Sequence, residues 1–243
     1  MVKKILFSCL LCISLYGYGQ KVAVYDKNAS DILGENTYIT DTIPLTDTAF
    51  VEQAVEVTQN GIVWEDVRIS EATFKTASLV KEQYQMLRSE RTPDKKDSSI
   101  VREWAKEIGF GFEECMEECG FYHFEGSEII EMGMGDYCFT RTRNDTTRIE
   151  ACGLSLSTDN LLAGYYTDVI YWDPPFEGAV GNVYIYPYDY TSDKLGEPFV
   201  FKTPPRWWPI GDSFWGADGW FFIQGLDMEG NIEYHKVRPK MVK

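Results

Sequence analysis

Four cysteines crowded between Cys115 and Cys152 constrain this chain more than any other feature. Cys115 and Cys119 stand four apart in FEECMEECGF, which places them on one face of a predicted helix. Neighbours on successive helical turns make strained disulfides, so each is expected to reach another element. That element is a predicted hairpin, DYCFTRT and TRIEACGLSL around the polar turn Arg143-Asn144-Asp145-Thr146. Pairing centred on Asp145 sets Cys138 opposite Cys152 with both side chains on one side. Disulfides joining helix to hairpin are the expectation, ahead of the local pairs 115 with 119 and 138 with 152. A four-thiolate zinc site is the alternative, but the gap between Cys138 and Cys152 is too long for the second short knuckle of such sites.

The arrangement resembles the helix-to-hairpin stapling of small cysteine-stabilised αβ domains, which carry closer strand cysteines and a further bridge. The compartment agrees with oxidation. Residues 1–19 read as a secretory signal: Lys3 and Lys4, the apolar run ILFSCLLCISLY, then Gly17-Tyr18-Gly19 before a cut at Gln20. The run is short for a membrane span, and no later stretch is long and apolar enough to be one. A lipoprotein reading would need a better-placed cysteine than Cys9 or Cys12. The leader resembles those of exported proteins of Gram-negative bacteria, which implies a secreted or periplasmic location.

Removal of the leader leaves 21 basic against 38 acidic residues, a charge of -17. Such a chain is repelled by phosphate backbones and anionic lipid, which argues against nucleic acid and membrane-surface partners. Its length fits two ordinary domains, placed at 20–157 and 158–243.

The first is expected to be α+β. AVEVTQ, Asn60-Gly61 and IVWEDVRI predict a hairpin with a tight type I′ turn. Ser70 opens a helix with Phe74, Ala77, Val80, Tyr84 and Leu87 on its apolar stripe. Asp97 or Ser98 caps a second helix that buries Ile100, Val101, Trp104 and Ile108. These N-terminal helices are expected to pack on a sheet that includes the disulfide-stapled hairpin. Asp41-Thr42-Ile43, Asp47-Thr48-Ala49 and Asp145-Thr146-Thr147 resemble the Asp-Thr-small O-glycosylation signal of some exported bacterial proteins; ordinary loop chemistry also accounts for them.

After Leu156 short β-rich runs alternate with turns, the pattern of an antiparallel sandwich. GWFFIQGLDMEGNIEYHKV resembles the last hairpin of immunoglobulin-like or fibronectin-III-like modules of exported bacterial proteins, and YWDPPFEG resembles the start of a fibronectin-type module. The resemblance spans roughly 159–239 and implies a C-terminal Ig-like β-sandwich.

His123 and His235 are the only histidines, and neither has a convincing partner set; His235 is expected in the last strand as a surface or half-buried sheet residue. Gly211-Asp212-Ser213-Phe214 resembles the nucleophile block of GDS-type esterases, but it falls late in the chain with no following Asp-x-x-His, so a loop is expected. Asp227, Glu229 and Asn231 alternate as in calcium loops, but Gly230 is misplaced for one and a hairpin turn suffices. Glu113, Glu114, Glu117 and Glu118 read as a solvated acidic face. No cofactor and no metal set is implied.

Trp207, Trp208, Phe214, Trp215, Trp220, Phe221 and Phe222 form the densest aromatic cluster. Part of it must serve the core, and Trp207, Trp208 and Trp215 are the candidates for an exposed ligand platform. Tyr184, Tyr186, Tyr188 and Tyr190 line one strand face, either covered by the N-terminal half or open to a partner. The expected function is non-catalytic binding or cell-envelope interaction with a protein or glycan outside the cytoplasm. Carbohydrate recognition through the loop tryptophans is one alternative, and a carboxylate-based hydrolase another.

Overall fold

The computed structural model describes residues 53–113, 115, 120–134, 137–142, 149, 151–169 and 179–240. In chain order these hold β1 (Gln53–Gln59), β2 (Ile62–Ile69), α1 (Glu71–Ser78), β3 (Arg88–Glu90), α2 (Lys95–Ile108), β4 (Gly120–Phe124), β5 (Ile129–Met134), β6 (Tyr137–Thr142) and β7 (Cys152–Leu156). They continue with β8 (Leu161–Val169), β9 (Ala179–Asp189), β10 (Lys194–Leu195), β11 (Phe199–Lys202), β12 (Trp207–Trp215), β13 (Phe221–Asp227) and β14 (Ile232–Lys240).

The α+β expectation is corrected: the fold is mostly β, built from three antiparallel sheets with two α-helices among the described residues. Sheet I runs β1-β2-β14-β13-β12; sheet II runs β10-β9-β8-β7 with β11 also on β9; sheet III runs β3-β4-β5-β6. β2 pairs with β14, so sheet I takes strands from both sides of the boundary expected at 157/158. The C-terminal strands β12–β14 therefore complete their sheet with β1 and β2.

Alternation along the strands sorts the layers. Trp64, Phe221, Ile223 and Val237 of sheet I meet Ala163, Val183, Ile185 and Phe201 of sheet II in the central core. On the opposite side of sheet I, α1 lays Phe74 and Ala77 on Val67, Ile69, Phe214 and Phe222. The far side of sheet II presents Leu162, Tyr186 and Tyr188 to Phe124 and Ile129 of sheet III. α2 closes the stack, packing Ile100, Val101 and Trp104 on Phe121, Ile130 and Met132. The tyrosine face of β9 is thus covered at Tyr186 and Tyr188 by sheet III.

Local chemistry explains several elements. Asn60 (φ 52°) and Gly61 (φ 79°) make the β1–β2 turn that the Asn-Gly pair predicts. Ser70 caps α1 by accepting from Thr73 N–H at 3.0 Å. That helix stops at Ser78 and not at Leu87, because 84–86 is drawn to β7: Met86 N–H donates to Leu156 O at 2.7 Å and Gln85 bridges Ser157. α2 starts earlier than expected, at an Asp94 cap whose partner Asp97 completes a capping box.

The disulfide-stapled hairpin is also corrected. Cys138 pairs with Gly133 in sheet III, whereas Cys152 pairs with Tyr165 in sheet II. Among the described residues the chain folds back at the bridge Thr140↔Ile149, one residue out of the register that would oppose Cys138 to Cys152. Among the described residues there is no disulfide. Cys115 is buried with α2, and Cys152 packs on the central core, so these two thiols belong to different clusters. Cys119 and the acidic residues Glu114, Glu117 and Glu118 lie outside the described residues, as do the leader and all three Asp-Thr-small motifs. No helix among the described residues is long and apolar enough to cross a membrane.

Candidate functional site

The tryptophans do not form a platform. Trp207, Trp208 and Trp215 are each 1% exposed, because β12 is covered on both faces. Trp207 stacks on His235 with ring centroids 3.9 Å apart and donates its indole N–H to Asp66 at 3.3 Å. Trp215 donates to the Ser155 carbonyl at 2.9 Å, and Trp208 packs with Ala179, Ile210, Leu226 and Met228.

His235 is likewise buried and not a surface residue. Its Nδ1 lies 2.6 Å from Asp66 Oδ1 and its Nε2 3.2 Å from Glu233 Oε2. Arg206 reaches the second Asp66 oxygen at 3.1 Å, and Arg68 meets Glu233 at 2.7 Å. A neutral imidazole donates to one of these carboxylates and a doubly protonated ring to both. With the stacked indole closing one ring face and Asp66, Glu233 and His235 buried, this network joins β2 to β14 within sheet I. His123 sits elsewhere, 3.4 Å from Ser89 Oγ.

The open concavity lies where the three sheets converge. A cleft of about 910 Å³ runs between the 81–88 segment, the β4–β5 turn, β7 and the middle of β12. Its volume is in the range that holds a ligand of some size. Gly211 and Asp212 are its sequence signature. The β12–β13 register jumps between Ile210 and Ser213, so these two residues form a bulge that turns the exposed Asp212 out of the strand. The predicted loop is therefore a bulged strand, and a Gly-Asp pair inside a β-rich run is the signal that could have found it.

Several side chains around the cleft are held by neighbours. Ser213 donates to the Gly153 carbonyl at 2.6 Å, so its proton faces a backbone oxygen and not a base. Gln85 Oε1 accepts from Ser155 Oγ at 2.7 Å and from Trp215 N–H at 3.1 Å. Arg88 pairs with Glu131 at 2.7 Å and lies over the Tyr122 ring, 3.6 Å from its centroid. Gly153, at φ +60°, admits no side chain, since a Cβ there would meet Ser213 Oγ at 2.9 Å and the Tyr165 ring. A smaller pocket of about 230 Å³ adjoins along α1 and shares Lys81, Asp212 and Ser213 with the cleft. Sequence reasoning missed this site because its walls come from segments far apart in the chain.

The calcium-like run is a turn. Asp227 accepts from Glu229 N–H at 2.9 Å, Asn231 N–H at 2.8 Å and Asn231 Nδ2 at 3.0 Å. Burial pushes the Asp227 carboxyl up, but these hydrogen bonds outweigh it and hold the group below the usual carboxylate value.

The fold and the cleft define an antiparallel three-sheet protein with a polar cleft at the junction of its layers. Comparison with protein-family models, with curated proteins and with solved structures finds no match to this chain.

Proposed function

We propose that this protein is an exported, non-catalytic binding module whose partner occupies the cleft beside the β12 bulge. The observation that carries the reading is a cleft of about 910 Å³ whose hydroxyl, amide and guanidinium groups are held by neighbours in place. Fixed donors and acceptors suit recognition, whereas nucleophilic catalysis asks for a hydroxyl facing a base. The basic start and apolar run of residues 1–19 support export. The burial of Trp207, Trp208 and Trp215 removes the platform on which the carbohydrate alternative rested.

A printed array of peptides and oligosaccharides, probed with the purified chain and with the cleft-filling variants Asp212→Trp and Thr158→Trp, tests this reading. Both positions are exposed on the cleft wall, so the variants should fold. Signals present for the unaltered chain should vanish in both. Signals that all survive filling, or an array with no cleft-dependent signal, would remove the cleft from function.

A further inference from the structure

Resting on that reading of the cleft, we infer that its ligand is an extended polypeptide segment carrying basic and apolar side chains. Charge is the first reason. The lining holds Glu82, Glu125, Glu131 and Asp212 against Lys81 and Arg88. Arg88 is already engaged with Glu131, which leaves Glu82, Glu125 and Asp212 facing a single ammonium. These carboxylates come from separate places: the 3-10 turn at Lys81–Gln83, the β4–β5 turn and the β12 bulge. Among the described residues no group of three or more acids, histidines or cysteines converges to hold a metal ion. Spread carboxylates match charges distributed along a chain better than one point charge.

Apolar surface is the second reason. Leu87 lines the cleft and is 58% exposed, while Leu79 is 83% exposed between Ser78 and Lys81, which line the adjoining pocket. Half-buried Met86 continues this surface into the cleft, whose lining also includes the buried Phe124 and Leu154. Exposed leucines on a polar rim favour a polypeptide over a sugar, which calls for a flat ring. Shape is the third: the cleft and the smaller pocket meet at Lys81, Asp212 and Ser213, so the concavity is elongated along the path of an extended chain.

Fluorescence anisotropy decides the matter, with a short dye-labelled peptide alternating lysine and leucine, its glutamate-leucine counterpart, and spermine as competitor. The lysine peptide should bind saturably, and more weakly as salt shortens the screening length from about 10 Å at 0.1 M to about 3 Å at 1 M. Neutralising the site with Glu82→Gln, Glu125→Gln and Asp212→Asn together should weaken binding about tenfold, and Leu87→Ser should weaken it by a smaller factor. Glu229→Gln, in the β13–β14 turn outside the cleft lining, should leave it unchanged. Equal binding of the glutamate peptide, or no loss in the neutralised variant, would overturn the charge assignment. Full displacement by spermine with no effect of Leu87→Ser would overturn the polypeptide assignment. Absence of peptide binding would overturn the ligand class; the array then separates the cases, since other ligands lost in Asp212→Trp would leave the binding reading standing.

Discussion

Gln59 holds both backbone polar groups of Lys202: its Nε2 donates to the Lys202 carbonyl at 2.7 Å, and its Oε1 accepts the Lys202 N–H at 2.7 Å. A side-chain amide here does what a neighbouring strand would do. Gln59 belongs to β1, the edge of sheet I, and Lys202 to β11 in sheet II. The other edge of sheet I is stitched similarly, with Ser213 to the Gly153 carbonyl, Trp215 to the Ser155 carbonyl, and Tyr165 hydroxyl to the Gly211 carbonyl at 2.8 Å. Side chains thus occupy strand edges that would otherwise recruit another chain.

Replacing Gln59 by Ala should cost about 1 kcal/mol, the low end for two partly solvated hydrogen bonds. The site-specific signature is faster hydrogen exchange at the Lys202 amide, read by NMR beside a urea unfolding curve. An unchanged exchange rate would mean that the clasp does not protect the edge.

Asp66 should matter far more. Its fully buried carboxylate receives His235, Arg206 and Trp207 together. Asp66→Ala leaves those donors facing a void and should destabilise by about 3–5 kcal/mol. Arg206→Ala removes only a half-exposed partner and should cost about 1 kcal/mol or less. Chemical denaturation of both variants provides the comparison; similar losses would show that the network is not centred on Asp66.

This contrast also separates what the chain discloses from what it conceals. Asn60-Gly61 and Ser70 were legible because a turn and a helix cap are decided within a few residues. The buried stripe Ile100, Val101 and Trp104 was legible from its period, while the Asp94 cap was missed because its N3 partner is Asp97 and not glutamate or glutamine. Asp66 and His235 lie 169 positions apart, so no local pattern could join them. The cysteines part over a shift of register: with Thr140 opposite Ile149, Cys138 would face position 151, and Cys152 leaves for sheet II. The cleft was hidden for the same reason as the network, since Arg88, Gly153 and Asp212, from sheets III, II and I, meet only after all three sheets are assembled.

The covered tyrosine face should give alkaline instability. Burial, with lesser help from Tyr184 and Glu197, pushes the Tyr186 hydroxyl up to about 12. Burial and the hydrogen bond that Tyr188 donates to Asp193 at 2.6 Å push the Tyr188 hydroxyl up as well. A raised folded-state value stabilises fully below the unfolded value of 10.0, and that stability is lost as pH rises through about 12. Phenolate absorbance and circular dichroism, followed together from neutral pH upward, should show late-ionising tyrosines appearing only as structure is lost. Complete phenolate formation in the native protein near pH 10 would contradict this burial.

Gln85 links the stability of the sandwich to the wall of the cleft. Its carbonyl oxygen takes two hydrogens, from Ser155 on β7 and from the Trp215 amide on β12, and so joins strands that do not pair directly. Gln85→Ala should cost about 1–3 kcal/mol, because the Trp215 N–H loses its acceptor in a partly buried place. Water admitted there should shift the tryptophan emission to the red. Gln85→Glu keeps an acceptor oxygen in the same position, so it should preserve stability better while adding a negative charge to the cleft. If Ala and Glu are equally destabilising, the oxygen is not the joining group; if Glu is tolerated and strengthens the lysine peptide, one atom serves both the fold and the site.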